Sequence, residues 1–206
     1  MTFPWDDEQA DEIERIRKYG SEETARLFEK YKPRLFFTVQ FRLDERLRGR
    51  VDESDILQEA HLEAVRRTDD FVNEPQVPFF IWIRQLVVQA VINTHRRHFE
   101  AQMRSVQQEV AMRQQAPLTQ ATSWSLAGQL QGNFTSPSGA AIRQETQKQV
   151  HEALEQMDEV DREVLTLRHL EQLNNVEVAL ALGLDQSATS KRYVRALQRL
   201  TKAMTG

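Results

Sequence analysis

Apolar residues recur along this chain in steps of three and four. Leu27, Phe28, Tyr31, Leu35, Val39 and Leu43 predict a helix entered at a Ser21 cap, with Glu22 and Glu23 in its first turn, where acids suit the helix dipole. Pro33 predicts a kink or a division in that helix. A second helix starts near Asp52, with Ile56, Leu57, Ala60, Ala64 and Val65 as its apolar stripe. Thr68 to Pro78 holds Asp69, Asp70, Asn73, Pro75 and Pro78 and is expected to be a loop. A third helix is strongly apolar over Phe79, Phe80, Trp82, Ile83, Leu86, Val87, Ala90 and Val91, then turns polar and basic from Asn93 to His98. The pattern fades between Gln102 and Gly139, where Gln, Ser, Thr, Ala and Gly dominate. A flexible linker is expected after Pro117, since little apolar surface is present to offset ordering entropy. Ser136-Pro137 then opens a second block, with helices near 138–156, 159–171, 174–182 and 186–204. The fold expected is all-α: two helical domains, 21–101 and 138–206, joined by a linker at 102–137 and preceded by an acidic segment, 1–20.

The last two helices form a helix-turn-helix pattern. Val176 to Leu184 ends one helix in a small-residue turn, and the next runs from Gln186 through Arg195. Ala179 suits a close helix approach, and Gly183 takes the positive φ of the turn without steric cost. Leu182 and Leu184 fill the gap between the helices. The final helix offers Ser187, Lys191, Arg195, Gln198 and Lys202 on one side, and Thr189, Tyr193, Ala196, Leu197, Leu200 and Met204 on the other. One side suits a polyanion and the other a core, as a major-groove reader requires.

Charge changes the picture by its distribution. The 206 residues carry a net charge of −4, which on its own argues against nucleic acid. Acids cluster at Asp6, Asp7, Glu8, Asp11, Glu12 and Glu14, and again at Asp52, Glu53, Asp55, Glu59 and Glu63. Cations cluster at Arg84, Arg96, Arg97 and Arg104, and at Lys191, Arg192, Arg195, Arg199 and Lys202, where the last helix has no acid. DNA affinity follows local cation density. Separate acidic and basic faces point to two partners, one of them a basic protein surface. With no cysteine, disulfides and thiolate metal sites are excluded, in keeping with a reducing cytoplasm. The start lacks a signal-peptide pattern, and no apolar run approaches the ~20 residues of a membrane span, so no membrane association is expected.

Four stretches resemble the sigma-70 family of transcription factors. Asp55-Ile56-Leu57-Gln58-Glu59-Ala60 is similar to the region 2 signature, and Phe80-Ile81-Trp82-Ile83-Arg84-Gln85-Leu86 to the run that follows it. Asp161 to Arg168 resembles the start of region 4, and Gly183 to Leu197 its helix-turn-helix. Their order, with no region 3 between them, is the layout of the small extracytoplasmic-function (ECF) group. The resemblance implies binding to core RNA polymerase, through the β′ clamp helices and the β flap, and recognition of the −10 and −35 promoter elements. It leaves open an anti-sigma factor as a further partner.

On that resemblance Asp55, Gln58 and Glu59 form the polymerase-docking face, where carboxylates answer basic side chains. Gln89 and Asn93, one turn apart, present amides to an unstacked base of the −10 element, and Arg96 and Arg97 hold phosphates. Family contacts to the −35 element fall on Ser190, Lys191, Arg192, Val194 and Arg195, with Ser187 beside them; arginine there is suited to reading guanine. Trp82 is expected in the core, and the loop 70–78 lies where the family helps hold the flipped base. His95 and His98 lack a carboxylate at ligand spacing, no Ser/His/Asp set or phosphate loop is apparent, and neither catalysis nor a cofactor is expected. The rival reading is an autonomous helix-turn-helix regulator with a helical dimerisation domain. The acidic Asp55/Glu59 helix and the aromatic-rich third helix favour sigma.

Overall fold

The computed structural model describes residues 7–103, 126–127 and 140–205, which divide into two compact units within 1–116 and 117–206. Among the described residues the structure is helical, with one isolated bridge between Arg48 and Val51. In the first unit α1 spans Asp7–Tyr19, α2 Ser21–Arg42, α3 Glu53–Arg66, α4 Thr68–Asn73 and α5 Phe79–Met103, with a 3-10 turn at Glu45–Leu47. Helices α2, α3 and α5 pack on one another, and α1 lies against α2, α4 and α5. Leu27, Phe28, Leu35, Ile56, Ala60, Phe79, Ile83 and Val87 fill the centre.

The acidic N-terminal stretch is an integral helix. Ile13 and Ile16 of α1 are fully buried, and each such burial contributes about 1.5–3 kcal/mol. Glu12 is buried as well, where it accepts from Lys30 Nζ (2.8 Å) and Tyr31 Oη (2.7 Å) of α2. Gly20, at φ 61°, makes the break between α1 and α2, so the cap expected at Ser21 is a glycine without a side-chain bond. Pro33 lies inside one α2 helix. Asp52 caps α3 by accepting from Ser54 N (2.8 Å).

The expected loop 68–78 is half helix. Thr68 is buried and its hydroxyl donates to Val65 O (2.9 Å), which continues the chain from α3 into α4. Phe71 is drawn into the core against Phe79 and Trp82, and that burial overrides the loop composition around it. Trp82 is half-buried and stacks on Phe71 at 4.4 Å between centroids.

In the second unit α6 spans Ala140–Glu155, α7 Glu159–His169, α8 Asn175–Leu182 and α9 Gln186–Thr205. Helix α9 packs against each of the other three. Val150, Leu154, Val164, Leu165, Leu167, Val178, Ala196 and Leu200 form the core. Within the expected linker, Leu126 and Ala127 are helical and fully buried, apolar content that the Gln- and Ser-rich composition hides. The rest of that linker, and the Ser136-Pro137 cap, lie outside the described residues.

Candidate functional site

The acidic face of α3 is open to solvent. Asp55 and Gln58 are exposed and Glu59 is half-exposed, while Ile56, Leu57 and Ala60 turn inward. Helical spacing puts Asp55, Gln58, Glu59 and the exposed Leu62 on one stripe. Glu59 already has a cationic partner, since Arg97 Nη2 of α5 donates to its carboxylate at 2.7 Å. One residue of the expected docking face and one of the expected DNA face are therefore paired. Both ends are well solvated, so the pair stabilises by about 0–1 kcal/mol.

The polar end of α5 carries the amides and cations together. Gln89 Nε2 donates to Asn93 Oδ1 at 3.0 Å, a bond that uses neither Gln89 Oε1 nor Asn93 Nδ2. Arg96 and Arg97 are exposed, and Arg97 also donates to Thr94 Oγ1 at 3.0 Å. His95 turns inward and accepts the backbone N–H of Asp44 at Nε2, 3.0 Å away. Burial pushes its imidazole below the ordinary histidine range, which suits the neutral, accepting form. Arg84 is buried and contributes nothing to this face.

The helix-turn-helix is locally over-determined. Asn174 and Glu177 form a capping box at the start of α8, with Glu177 N donating to Asn174 Oδ1 (2.9 Å) and Asn174 N to Glu177 Oε2 (2.8 Å). Gly183 ends α8 at φ 64° and ψ 32°, a left-handed conformation that costs another residue about 1–2 kcal/mol. Leu182 and Leu184 are half-buried at the turn, and Ala179 is buried beneath it. Thr189 is fully buried and its hydroxyl donates to Asp185 O (2.9 Å), which satisfies the polar atom at a core position.

Ser187, Ser190, Lys191, Val194 and Arg195 are all exposed on the outer face of α9. Ser190 Oγ donates back to Gln186 O (2.9 Å) and keeps its acceptor capacity. Val194 is 50% exposed, an apolar group set among cations. Shallow depressions flank Lys191 and Arg195, one lined also by Asp185, Ser187, Ala188 and Arg192, the other by Ser190, Val194 and Gln198.

Arg192 is the exception on this helix. Its Nη1 donates to Asp161 Oδ1 at 2.7 Å and reaches Asp158 Oδ1 at 3.3 Å, both on or beside α7. Arg199 Nη1 approaches the other Asp161 oxygen at 3.4 Å. Asp161 is only 1% exposed, so these two arginines supply its countercharge and clamp α9 to α7. Arg192 is thus engaged inward, which differs from the free guanine reader that its place in the motif suggests. The sequence placed Asp161 at the start of the region 4 resemblance but hid its pairing, because nothing local separates a buried acid from a solvated one.

The fold and faces define a protein with two helical units, the second a cation-faced helix-turn-helix. Residues 147–200 match the family model described as Sigma-70, region 4. The chain is 25% identical over 153 residues to the RNA polymerase sigma-H factor of Pseudomonas aeruginosa, covering 74% of this chain and 73% of that one. Among solved structures it is similar to CnrH in complex with the cytosolic domain of CnrY, at a TM-score of 0.50 and 18% identity over 95% of this chain and 96% of that one. Residues 147–200 thus match sigma-70 region 4, and the chain over most of its length is similar to an RNA polymerase sigma factor. An autonomous regulator is not favoured. Among the described residues no helix is long and apolar enough to cross a membrane.

Proposed function

We propose that this chain serves core RNA polymerase as a promoter-specificity subunit, with three faces dividing the work. The α3 stripe of Asp55, Gln58 and Glu59 docks on the β′ clamp helices, and the second unit meets the β flap. The end of α5 receives the −10 element, with Gln89 and Asn93 toward an unstacked base and Arg96 and Arg97 toward phosphate. Helix α9 receives the −35 element through Ser187, Ser190, Lys191, Val194 and Arg195, while Arg192 sets the pitch of the helix through Asp161. The observation that carries the reading is the outer face of α9: exposed cations and hydroxyls, no acid, on a helix-turn-helix whose sequence matches region 4.

RNA synthesis in this account is the polymerase's chemistry, and the chain contributes binding alone. Its place of action is the cytoplasm, beside its polymerase. An anti-sigma factor is the third partner of the proposal; the fold neighbour CnrH is itself solved in a complex, with the cytosolic domain of CnrY. Docking is tested with Asp55→Lys, which leaves the Glu59–Arg97 pair intact. Core affinity should fall by up to about 2–5 kcal/mol if the contact is desolvated, and by less at a rim. Unchanged affinity in a variant of native helicity removes Asp55 from the docking face.

A further inference from the structure

The turn 43–52 between α2 and α3 carries Arg46, Arg48 and Arg50 beside Asp44, Glu45 and Asp52, and its arginines are unused by the three faces above. It is a built element. Leu43 and Leu47 anchor it in the core, and Leu47 O accepts from both Arg50 N (2.9 Å) and Val51 N (3.1 Å). Gly49 turns it at φ 81°, where Arg48 and Val51 bridge. Arg48 Nη2 donates to Gln40 O at 2.7 Å, which fixes the side chain while its other N–H groups remain at an exposed surface. Arg46 is held by the Asp44 carboxylate at 2.8 and 3.0 Å, so its charge is largely answered within the turn. Arg48 and Arg50 are exposed.

Position gives this cluster its meaning. The hydrogen bond from Asp44 N to His95 Nε2 ties the turn to α5 one residue from Arg96 and two from Asn93. The turn therefore borders the end of α5 in the first unit. Exposed guanidinium groups on a fixed turn suit phosphate oxygens, which they can meet with two parallel N–H bonds. Continuity with the amide pair Gln89–Asn93 favours nucleic acid over an acidic protein as the source of that countercharge.

We propose that the turn 44–51 is a phosphate-binding element, in which Arg48 and Arg50 extend the Arg96 surface along the backbone of the promoter strand whose bases meet Gln89 and Asn93. This rests on the reading that the end of α5 meets DNA. Its contacts are to backbone and carry no base preference.

The test is the salt dependence of promoter binding by the holoenzyme, for the wild type, Arg50→Gln, Arg48→Gln/Arg50→Gln, Arg50→Lys and Arg96→Gln. Each lost phosphate contact lowers the slope of log K against log salt by about 0.9 on duplex or about 0.7 on single strand, roughly a three-fold weaker response to a four-fold change in salt. Arg50→Gln should show one such reduction and the double variant about two, equally on a promoter and on one with a scrambled −10 element, and Arg50→Lys should restore the slope. A normal slope in both glutamine variants, with a reduced slope in Arg96→Gln, overturns the proposal and leaves the α5 reading standing. A normal slope in all three overturns both. Loss of core polymerase affinity at an unchanged slope assigns the turn to a protein contact and also overturns the proposal.

Discussion

The clamp between α7 and α9 makes two opposite predictions for Asp161→Asn, depending on what Arg192 does. If Arg192 reads a base, relieving it of Asp161 frees its guanidinium and removes a nearby negative charge, so −35 affinity should rise. If Arg192 positions the helix, the same change loosens α9 and affinity should fall. The geometry supports the second outcome, because Asp161 is 1% exposed and takes Arg192 at 2.7 Å. Removing one partner of a fully buried pair costs about 3–5 kcal/mol. Here Arg199 stays within 3.4 Å of Asp161 and Arg192 is itself 31% exposed. Solvent and the remaining arginine therefore reduce the expected cost of Arg192→Ala to about 1–3 kcal/mol. Urea unfolding, with amide exchange along α9 as the local readout, should give losses for Arg192→Ala and Asp161→Asn whose double mutant falls short of their sum by about 1 kcal/mol. Holoenzyme binding to promoters with native and altered −35 elements should weaken on both templates. Coupling below about 0.5 kcal/mol, joined to tighter −35 binding by Asp161→Asn, refutes the reasoning and returns Arg192 to the bases.

Two further predictions concern the first unit. Gln89→Ala and Asn93→Ala should each impair promoter melting while −35 binding is retained; permanganate footprinting of an unaltered open complex in both would remove the amide pair from the −10 face. His95 has a folded-state pKa below its unfolded one, so its contribution to stability is complete above about pH 6.5 and is lost as the pH falls toward the folded value. Protection of the Asp44 amide should drop as the pH falls through the folded value, since a protonated Nε2 cannot accept; protection that stays flat while NMR shows the His95 ring taking up its proton would contradict the neutral assignment.

What the sequence revealed and concealed follows from how local each signal is. The α8–α9 turn was legible because Gly183, Ala179 and an acid-free helix act within a dozen residues of one another. The start of α3 was legible from Asp52, a side chain that bonds two residues ahead. Helix α4 was obscured because Asp69, Asp70 and Asn73 set the local composition, whereas Phe71 is held by Phe79 and Trp82 from α5. Helix α1 showed only its acids; its standing in the core depends on two isoleucines and on Glu12 meeting Lys30 and Tyr31. The role of Arg192 was hidden for the same reason, since its partner lies 31 positions away and looks like any surface aspartate. The arginines at 46, 48 and 50 drew no notice in the sequence, where acids stand among them; the bond from Asp44 to His95 is what brings their turn to the end of α5.

The central claim is that this chain gives specificity to polymerase and has little affinity for promoters by itself. A single helix-turn-helix with few base contacts is a small interface, and acids elsewhere in the chain oppose phosphate. Reconstituted transcription with purified core polymerase tests this most directly. The chain alone should show no specific duplex binding at nanomolar concentration, and initiation from a two-element promoter should appear once core polymerase is added. Nanomolar binding to a specific duplex without polymerase, with no initiation gained on mixing, would contradict it.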